Sequence, residues 1–532
     1  MLSRQMELRE HQKRCVDFIL PEENRGLILY HGLGTGKTFT SISMFEALYE
    51  RDPDLKAAVV VPAKLIANYE KEILNAKVKN KKAYSVFSYD GFTKTTEKGD
   101  DDIGEIEETL ADLTVKQTKK NKKQKKQNDE ELEFIHDNPE DCVLILDEAH
   151  LLRNAATKKT DFVTKFANKC YKVIILTGTP FVNYANDIAV LYNMIETQKS
   201  KKLETSWGTW KKKYFKTIYT NTGVFPFAKI TKSIQLKEKE VARLILQFQN
   251  KISCVNSDID NFPRSYFYTK KVEMSKDQYT VYKAMEDEVM TKEALNVMGR
   301  AEESSNSALN SFMNKTRSIS NVVQTTYDAN ESPKIRDLTK HVLKENRFPV
   351  LVYSFFIDTG IVPLRQSMER EELKCEEITG ESSKEDVIDI VQKYNSQKVE
   401  VLLISGAAGY GLDLKRTASV HICEPNWNKA KIDQVIGRAI RFKSHHSLPP
   451  EERYVNVYYW LSVIPRSMFN KLLGIKPRPS ADEYLYEMSV KKDANLQLIS
   501  TAICATSIEN RRRRDYDNSI DIQRRGKSKK RY

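Results

Sequence analysis

His31-Gly32-Leu33-Gly34-Thr35-Gly36-Lys37-Thr38 follows the apolar run Leu27-Ile28-Leu29-Tyr30, and Ile42, Phe45, Ala47 and Leu48 come after it. A short strand, a glycine-rich turn and a helix in that order aim backbone N–H groups and a helix N-terminus at one point. That arrangement cradles phosphate. Gly32, Gly34 and Gly36 allow close backbone approach around Thr35. Lys37 is placed to reach the β- and γ-phosphates, and the Thr38 hydroxyl to sit on Mg²⁺. The general pattern has glycine where this chain has His31, so the match is to the variant with its glycines late. The expected ligand is a nucleoside triphosphate, ATP, with Mg²⁺.

Cys142-Val143-Leu144-Ile145-Leu146-Asp147-Glu148-Ala149-His150 carries the second signal. The apolar run delivers two adjacent carboxylates to a strand's C-terminal end, where α/β sheets bind ligands. Asp147 suits Mg²⁺, and Glu148 suits orienting and deprotonating an attacking water. The third signal is Gln434-Val435-Ile436-Gly437-Arg438-Ala439-Ile440-Arg441. Phosphoryl transfer spreads negative charge over equatorial oxygens, which a guanidinium stabilises. Arg438 and Arg441 are three apart, so one helical face is expected to present both. Arg441 is read as the arginine finger, with Arg438 its partner at the phosphates and Gln434 beside them.

The elements that must position these groups form two blocks. Strand-like apolar runs lie at 27–30, 57–61, 84–87, 143–146 and 173–176, then at 350–353, 401–404, 419–423 and 455–459. Such runs separated by helices predict parallel sheets covered on both faces. The expected fold is α/β, with two parallel-sheet domains in tandem. Expected boundaries are an ATP-binding domain at 1–195 with a charged insertion at 96–133, and a mainly helical, polar linking region at 196–335. A second α/β domain at 336–475, a helical extension at 476–510 and a basic tail at 511–532 complete the chain. In the insertion an acidic run (Asp100 to Glu108) precedes a lysine run (Lys116 to Lys126), which reads as a solvated loop. Trp207, Trp210 and Phe215 read as core, and Trp427, near the second-domain motifs, also reads as core.

Of 532 residues, 86 are Lys or Arg and 73 Asp or Glu, a formal charge of +13. The tail holds ten basic side chains against three acidic ones. This balance favours a polyanionic partner whose affinity falls steeply with salt. Seven scattered cysteines without a C-x-x-C pair fit a reducing compartment and argue against zinc. The N-terminus has no apolar signal region and no run approaches bilayer-spanning length, so a soluble intracellular protein without a membrane partner is expected.

With these residues in place, the chain resembles the DEAH/DEAD-type ATPases of helicase superfamily 2. Leu8-Arg9-Glu10-His11-Gln12 is similar to their upstream glutamine motif, which implies that Gln12 reads adenine. Val61-Pro62-Ala63-Lys64-Leu65 resembles a segment contacting the nucleic-acid backbone. Leu176-Thr177-Gly178-Thr179-Pro180 resembles the motif coupling the ATP site to the nucleic-acid groove. The stretch from Ser405 to Leu414 resembles the fifth motif, which implies that Gly411 and Asp413 serve the nucleotide. Leu176-Thr177-Gly178-Thr179-Pro180-Phe181-Val182-Asn183 and Met274-Ser275-Lys276-Asp277-Gln278-Tyr279 look like the Swi/Snf branch. The segments after Arg441, Ser480-Ala481-Asp482-Glu483-Tyr484 and Ala505-Thr506-Ser507-Ile508-Glu509 resemble the nucleoside triphosphatase I and early transcription factor ATPases of large DNA viruses. The resemblance implies two RecA-like domains that close on ATP. It implies translocation on nucleic acid, DNA favoured over RNA, in viral transcription. Viral RNA polymerase or transcription factors would then be partners, and virion and host cytoplasm the location. An ATP-dependent RNA helicase is the alternative.

Overall fold

The computed structural model describes residues 8–32, 34–94, 130–222, 229–255, 262–289, 307–323, 332–406, 412–426, 429–466, 472 and 478–510. The chain divides into two compact units, Met1–Asn256 with Leu496–Tyr532, and Ser257–Asn495. Most of the 96–133 insertion, Leu33, Gly411, Trp427 and the whole 511–532 tail lie outside the described residues.

The first unit is built on a six-stranded parallel sheet of order β3-β2-β4-β5-β1-β8. Its strands are β1 (Gly26–His31), β2 (Lys56–Val61), β3 (Tyr84–Ser88), β4 (Cys142–Leu146), β5 (Lys172–Thr177) and β8 (Ile252–Val255). Alternation sends Leu27, Leu29, Val59, Val143 and Ile174 to one face and Ile28, Val60, Leu144 and Val173 to the other. Both faces are therefore covered, which is why these strands read as continuous apolar runs. Helices α1 (Glu10–Ile19), α2 (Lys37–Tyr49) and α3 (Ile66–Asn75) cover the first face. On α2 every residue from Thr40 to Leu48 is buried, so this helix is a core element and not an amphipathic cover. Opposite lie α4 (Lys158–Ala167), α5 (Asp187–Ile195), α6 (Trp207–Tyr214) and α7 (Glu238–Gln247). Trp210 is fully buried and Phe215 buried, as expected, while Trp207 stacks on Tyr184.

The second unit repeats the design with the order β11-β12-β10-β13-β14-β9. Its strands are β9 (Arg264–Glu273), β10 (Val350–Ser354), β11 (Cys375–Ile378), β12 (Val401–Ser405), β13 (Ser419–Ile422) and β14 (Tyr454–Val463), all parallel. Leu351, Leu402 and Val420 face one core cluster; Val350, Val352, Leu403 and Trp460 face another. Helices α8 (Lys276–Val289), α9 (Ser307–Asn321), α10 (Pro333–Glu345), α11 (Val362–Arg370), α12 (Lys384–Asn395) and α13 (Lys429–Ala439) belong to this unit. The long helix α14 (Ala481–Cys504) follows, counted with the first unit from Leu496 on.

The 196–335 segment carries more helix than strand, and it also supplies both β8 and β9 and an antiparallel pair, β6 (Phe215–Thr222) with β7 (Lys229–Leu236). Each six-stranded sheet is thus finished by a strand from this segment.

The cysteine reading is corrected. Cys254 and Cys504 form a disulfide between β8 and the end of α14, while Cys15, Cys142, Cys170, Cys375 and Cys423 are free. Residues 250 apart in sequence meet only in the fold, so spacing gave no sign of the pair.

Candidate ATP site

β1 delivers the glycine-rich turn, and α2 starts directly behind it. Gly36 caps α2 with φ 83°, in the left-handed region, and Gly34 has φ 74°. A Cβ on Gly36 would lie 2.9 Å from Nε2 of Gln12, so glycine is required there both for conformation and for space. The loop is tied down by its own polar groups. Thr35 Oγ1 donates to the Gly32 carbonyl at 2.8 Å, and Lys37 Nζ donates to the His31 and Gly32 carbonyls at 3.0 and 3.2 Å. The ammonium therefore lies within the curve of the turn. The Gly32 N–H donates to Val255 O at 2.8 Å, anchoring the turn to β8.

Helix α1 brings Gln12, which is buried; its Oε1 accepts from the Arg9 N–H at 2.9 Å and its Nε2 faces Gly36. His11 Nε2 lies 3.2 Å from the Thr35 carbonyl.

β4 carries Asp147 and Glu148. The Asp147 N–H donates to Val60 O at 2.9 Å, extending the β2 ladder past the strand end, and Tyr89 Oη donates to Asp147 O at 2.7 Å. Glu148 has φ 50°, a left-handed conformation for a residue with a side chain. Its N–H donates to Asp147 Oδ1 at 2.8 Å. Burial, and then the neighbouring Glu148 carboxylate, push the Asp147 carboxyl up to about 7, with Lys37 opposing the shift. Two adjacent carboxylates with one lysine nearby form a cation-poor donor set, which is the environment a divalent cation satisfies.

A polar chain leads on from Glu148. Its Oε2 is 3.4 Å from His150 Nδ1, which is 3.4 Å from Thr179 Oγ1 in the Leu176–Pro180 motif. Burial lowers the His150 pKa despite the neighbouring Glu148.

The second unit carries the remaining sequence-predicted residues. Gln434 and Arg438 lie on α13, but the helix ends at Ala439, so Arg441 does not share a helical face with Arg438. The 439–444 segment turns here: the Arg441 N–H donates to Ser444 Oγ at 3.3 Å, and Ser444 N–H to Arg441 O at 3.1 Å. Arg441 folds back instead, its Nε donating to Gly437 O at 3.2 Å and its Nη1 pairing with Asp413 at 3.4 Å. Arg438 is buried.

Sequence reasoning missed a clasp behind the phosphate loop. Glu509, in a short 3-10 turn (Ile508–Asn510), accepts from the Cys254 N–H at 3.0 Å and takes a hydrogen bond from Ser253 Oγ. That hydroxyl lies 2.6 Å from His31 Nε2 and accepts from the Cys15 thiol at 3.4 Å. Cys15, His31 and Glu509 offer ligand atoms within 4.8 Å of one another, but the Ser253 hydroxyl contacts all three and satisfies them as a hydrogen-bonded cluster. The only sequence sign was Glu509's place in a family-like segment.

Residues 11–327 match the SNF2-related domain, and residues 333–443 match the helicase conserved C-terminal domain. A protein of Acanthamoeba polyphaga mimivirus, named as a candidate ATP-dependent RNA helicase, is 32% identical over 94% of this chain and 98% of its own. A "Termination factor NPH-I homolog" of African swine fever virus is 25% identical over 88% of this chain and 74% of its own. Nucleoside triphosphatase I of Melanoplus sanguinipes entomopoxvirus is 30% identical over 24% of this chain and 19% of its own. Among solved structures, the SWI2/SNF2 ATPase core of Sulfolobus solfataricus in complex with double-stranded DNA is 18% identical, covers 95% of this chain and 97% of its own, and gives a TM-score of 0.34. The chain belongs to the SNF2-related ATPases of the helicase superfamily.

Proposed function

We propose that this ATPase couples hydrolysis to movement along DNA in viral transcription. The observation that carries the reading is the first-unit site itself, a glycine turn enclosing the Lys37 ammonium beside a buried, cation-poor carboxylate pair. Bound Mg²⁺ would supply charge neutralisation at the phosphates, held by Thr38 and Asp147. Lys37 binds the phosphates, Gln12 reads the base, and Glu148 orients and deprotonates water. The Glu148–His150–Thr179 chain links the base to the Leu176–Pro180 motif. Gln434, Arg438 and Arg441 serve the phosphates from the second unit, with Asp413 holding Arg441 until the nucleotide competes for it. Viral relatives named as a termination factor and as nucleoside triphosphatase I support the transcriptional setting.

Titrating the ATPase rate with single-stranded DNA, duplex DNA and RNA tests the reading. Stimulation by DNA is expected; stimulation by RNA alone would replace it with the RNA helicase reading, which the name of the mimivirus relative favours. Arg441→Ala is expected to slow turnover by a factor on the order of 10³ with ATP binding little changed. Loss of binding with turnover intact at saturation would remove the finger role.

A further inference from the structure

β9 closes the second sheet, with β14 on one side and no strand on the other among the described residues. It is long, running from Arg264 to Glu273, and most of it is exposed. An exposed edge strand is usually blunted by charges, proline, a bulge or a covering element to discourage unwanted pairing. This one exposes Tyr266 by 44%, Phe267 by 58% and Tyr268 by 44%.

Alternation places Arg264, Tyr266, Tyr268 and Lys270 on one face. On that face a cross-strand aromatic ladder runs toward the sheet edge. His421 of β13 stacks on Tyr458 of β14 at 5.0 Å and 26°, and Tyr458 stacks on Tyr268 at 5.1 Å and 20°. The inner rungs are fixed. His421 is fully buried, Trp460 Nε1 donates to His421 Nδ1 at 3.2 Å, and Tyr458 Oη donates to Glu345. Tyr268 is the outermost rung among the described residues, backed by Tyr458 and 44% exposed. Tyr266 lies beside it, edge-on to Tyr454 at 5.8 Å.

Cations surround these rings. Arg347 lies 4.0 Å over Tyr454, and Lys270 lies 5.4 Å over Tyr458. Arg264 pairs in register with Tyr454, and Lys344 lies three residues along α10 from His341, which contacts Tyr458. Glu345 is the acidic group facing the ladder, and it is engaged by Tyr458, Asn456 and His341.

We propose that this edge platform of Tyr266, Tyr268 and Tyr454 binds single-stranded RNA, a base continuing the ladder beyond Tyr268 while Arg264, Lys270, Arg347 and Lys344 attract the backbone. A rigid aromatic face among cations is how single strands are held without base pairing. The phenolic hydroxyls of Tyr266 and Tyr268 have no partner among the described residues, which leaves them for the 2′-hydroxyl that distinguishes RNA. The site uses no residue of the glycine loop, the carboxylate pair or the sixth motif. It goes beyond the motor reading, and the two fail separately.

The test is fluorescence anisotropy of the full chain with a labelled oligouridylate of about ten nucleotides, without ATP. Tyr266→Ala with Tyr268→Ala is expected to weaken binding about 10- to 100-fold, and the paired Phe variants to keep the stacking contribution while losing the preference for oligouridylate over oligothymidylate. Basal ATPase should be unchanged in both. Lys270→Glu should weaken binding and lower the slope of log affinity against log salt by about 0.7. Unchanged affinity in the paired Ala variant and in Lys270→Glu overturns the proposal. So does oligothymidylate binding as tightly as RNA, or loss of protein–protein association in the Tyr variants with RNA affinity intact.

Discussion

Asp147 in the first unit and Asp482 in the second are both buried aspartates, and they are handled in opposite ways. Asp482 is neutralised: its Oδ2 pairs with the equally buried Lys334 Nζ at 2.7 Å and accepts from the Ser462 N–H at 3.0 Å. Lys334 also donates to Asn321 Oδ1 at 3.0 Å and to Cys423 O at 3.1 Å. Asn321 donates in turn to Glu424, which Ser354 Oγ also reaches, both at 2.6 Å. Asp147 instead has a second carboxylate beside it, and the nearest cation, Lys37, is committed to its own loop. Burial with a direct ion pair builds scaffold, since the network locks α9, α10 and β14 together. Burial without such a pair leaves Asp147 as the group that, on the proposed function, a bound cation would complete.

The sharpest break of this contrast is Glu148→Gln. Turnover should fall about 10²–10⁴-fold, as for loss of a general base, with the melting temperature barely changed. Near-normal turnover would show the base misassigned. Lys334→Met should do the reverse, costing roughly 3–5 kcal/mol of stability by stranding Asp482, measured by denaturant unfolding. A loss below about 1 kcal/mol would show that the pair is not the scaffold described.

The pH dependence separates the two aspartates further. Asp147 has its folded pKa raised, so its contribution to stability is complete below the unfolded value and is lost as pH rises through about 7. For the protein without metal or nucleotide, the slope should approach a loss of about 1.4 kcal/mol per pH unit between about pH 4 and 7. Asp147→Asn should flatten it; an unchanged slope assigns the titration elsewhere. The smallest expected effect is in the clasp. Glu509→Gln keeps the shape but weakens the charge-assisted hold on Ser253 and Cys254, and should raise KM for ATP a few-fold with kcat nearly unchanged. A fall in kcat with KM constant would contradict a positioning role.

Legibility followed burial. All eight central strands, four in each sheet, were readable as apolar runs, because a strand covered on both faces can carry little else. Of the four edge strands only β3 was read. β11 runs Cys-Glu-Glu-Ile, β9 runs three exposed aromatics and then two lysines, and β8 is four residues long, so none shows a buried period. Contiguous site residues were equally plain, since the glycine turn and Asp147-Glu148 carry their chemistry in neighbouring positions. The helical placement of Arg441, not its role, was misread, because i and i+3 share a face only while the helix lasts, and α13 stops two residues short of it.

By itself the sequence determined the two parallel sheets, the glycine-rich turn between β1 and α2 and the carboxylate pair, because each is written in local order and periodicity. The tertiary structure alone decided which strands close the sheets, that Cys254 meets Cys504, that Glu509 braces the loop through Ser253 and His31, and that Tyr268 ends an aromatic ladder. Those contacts join residues tens to hundreds of positions apart, and no spacing rule along a chain encodes a distance that only packing sets.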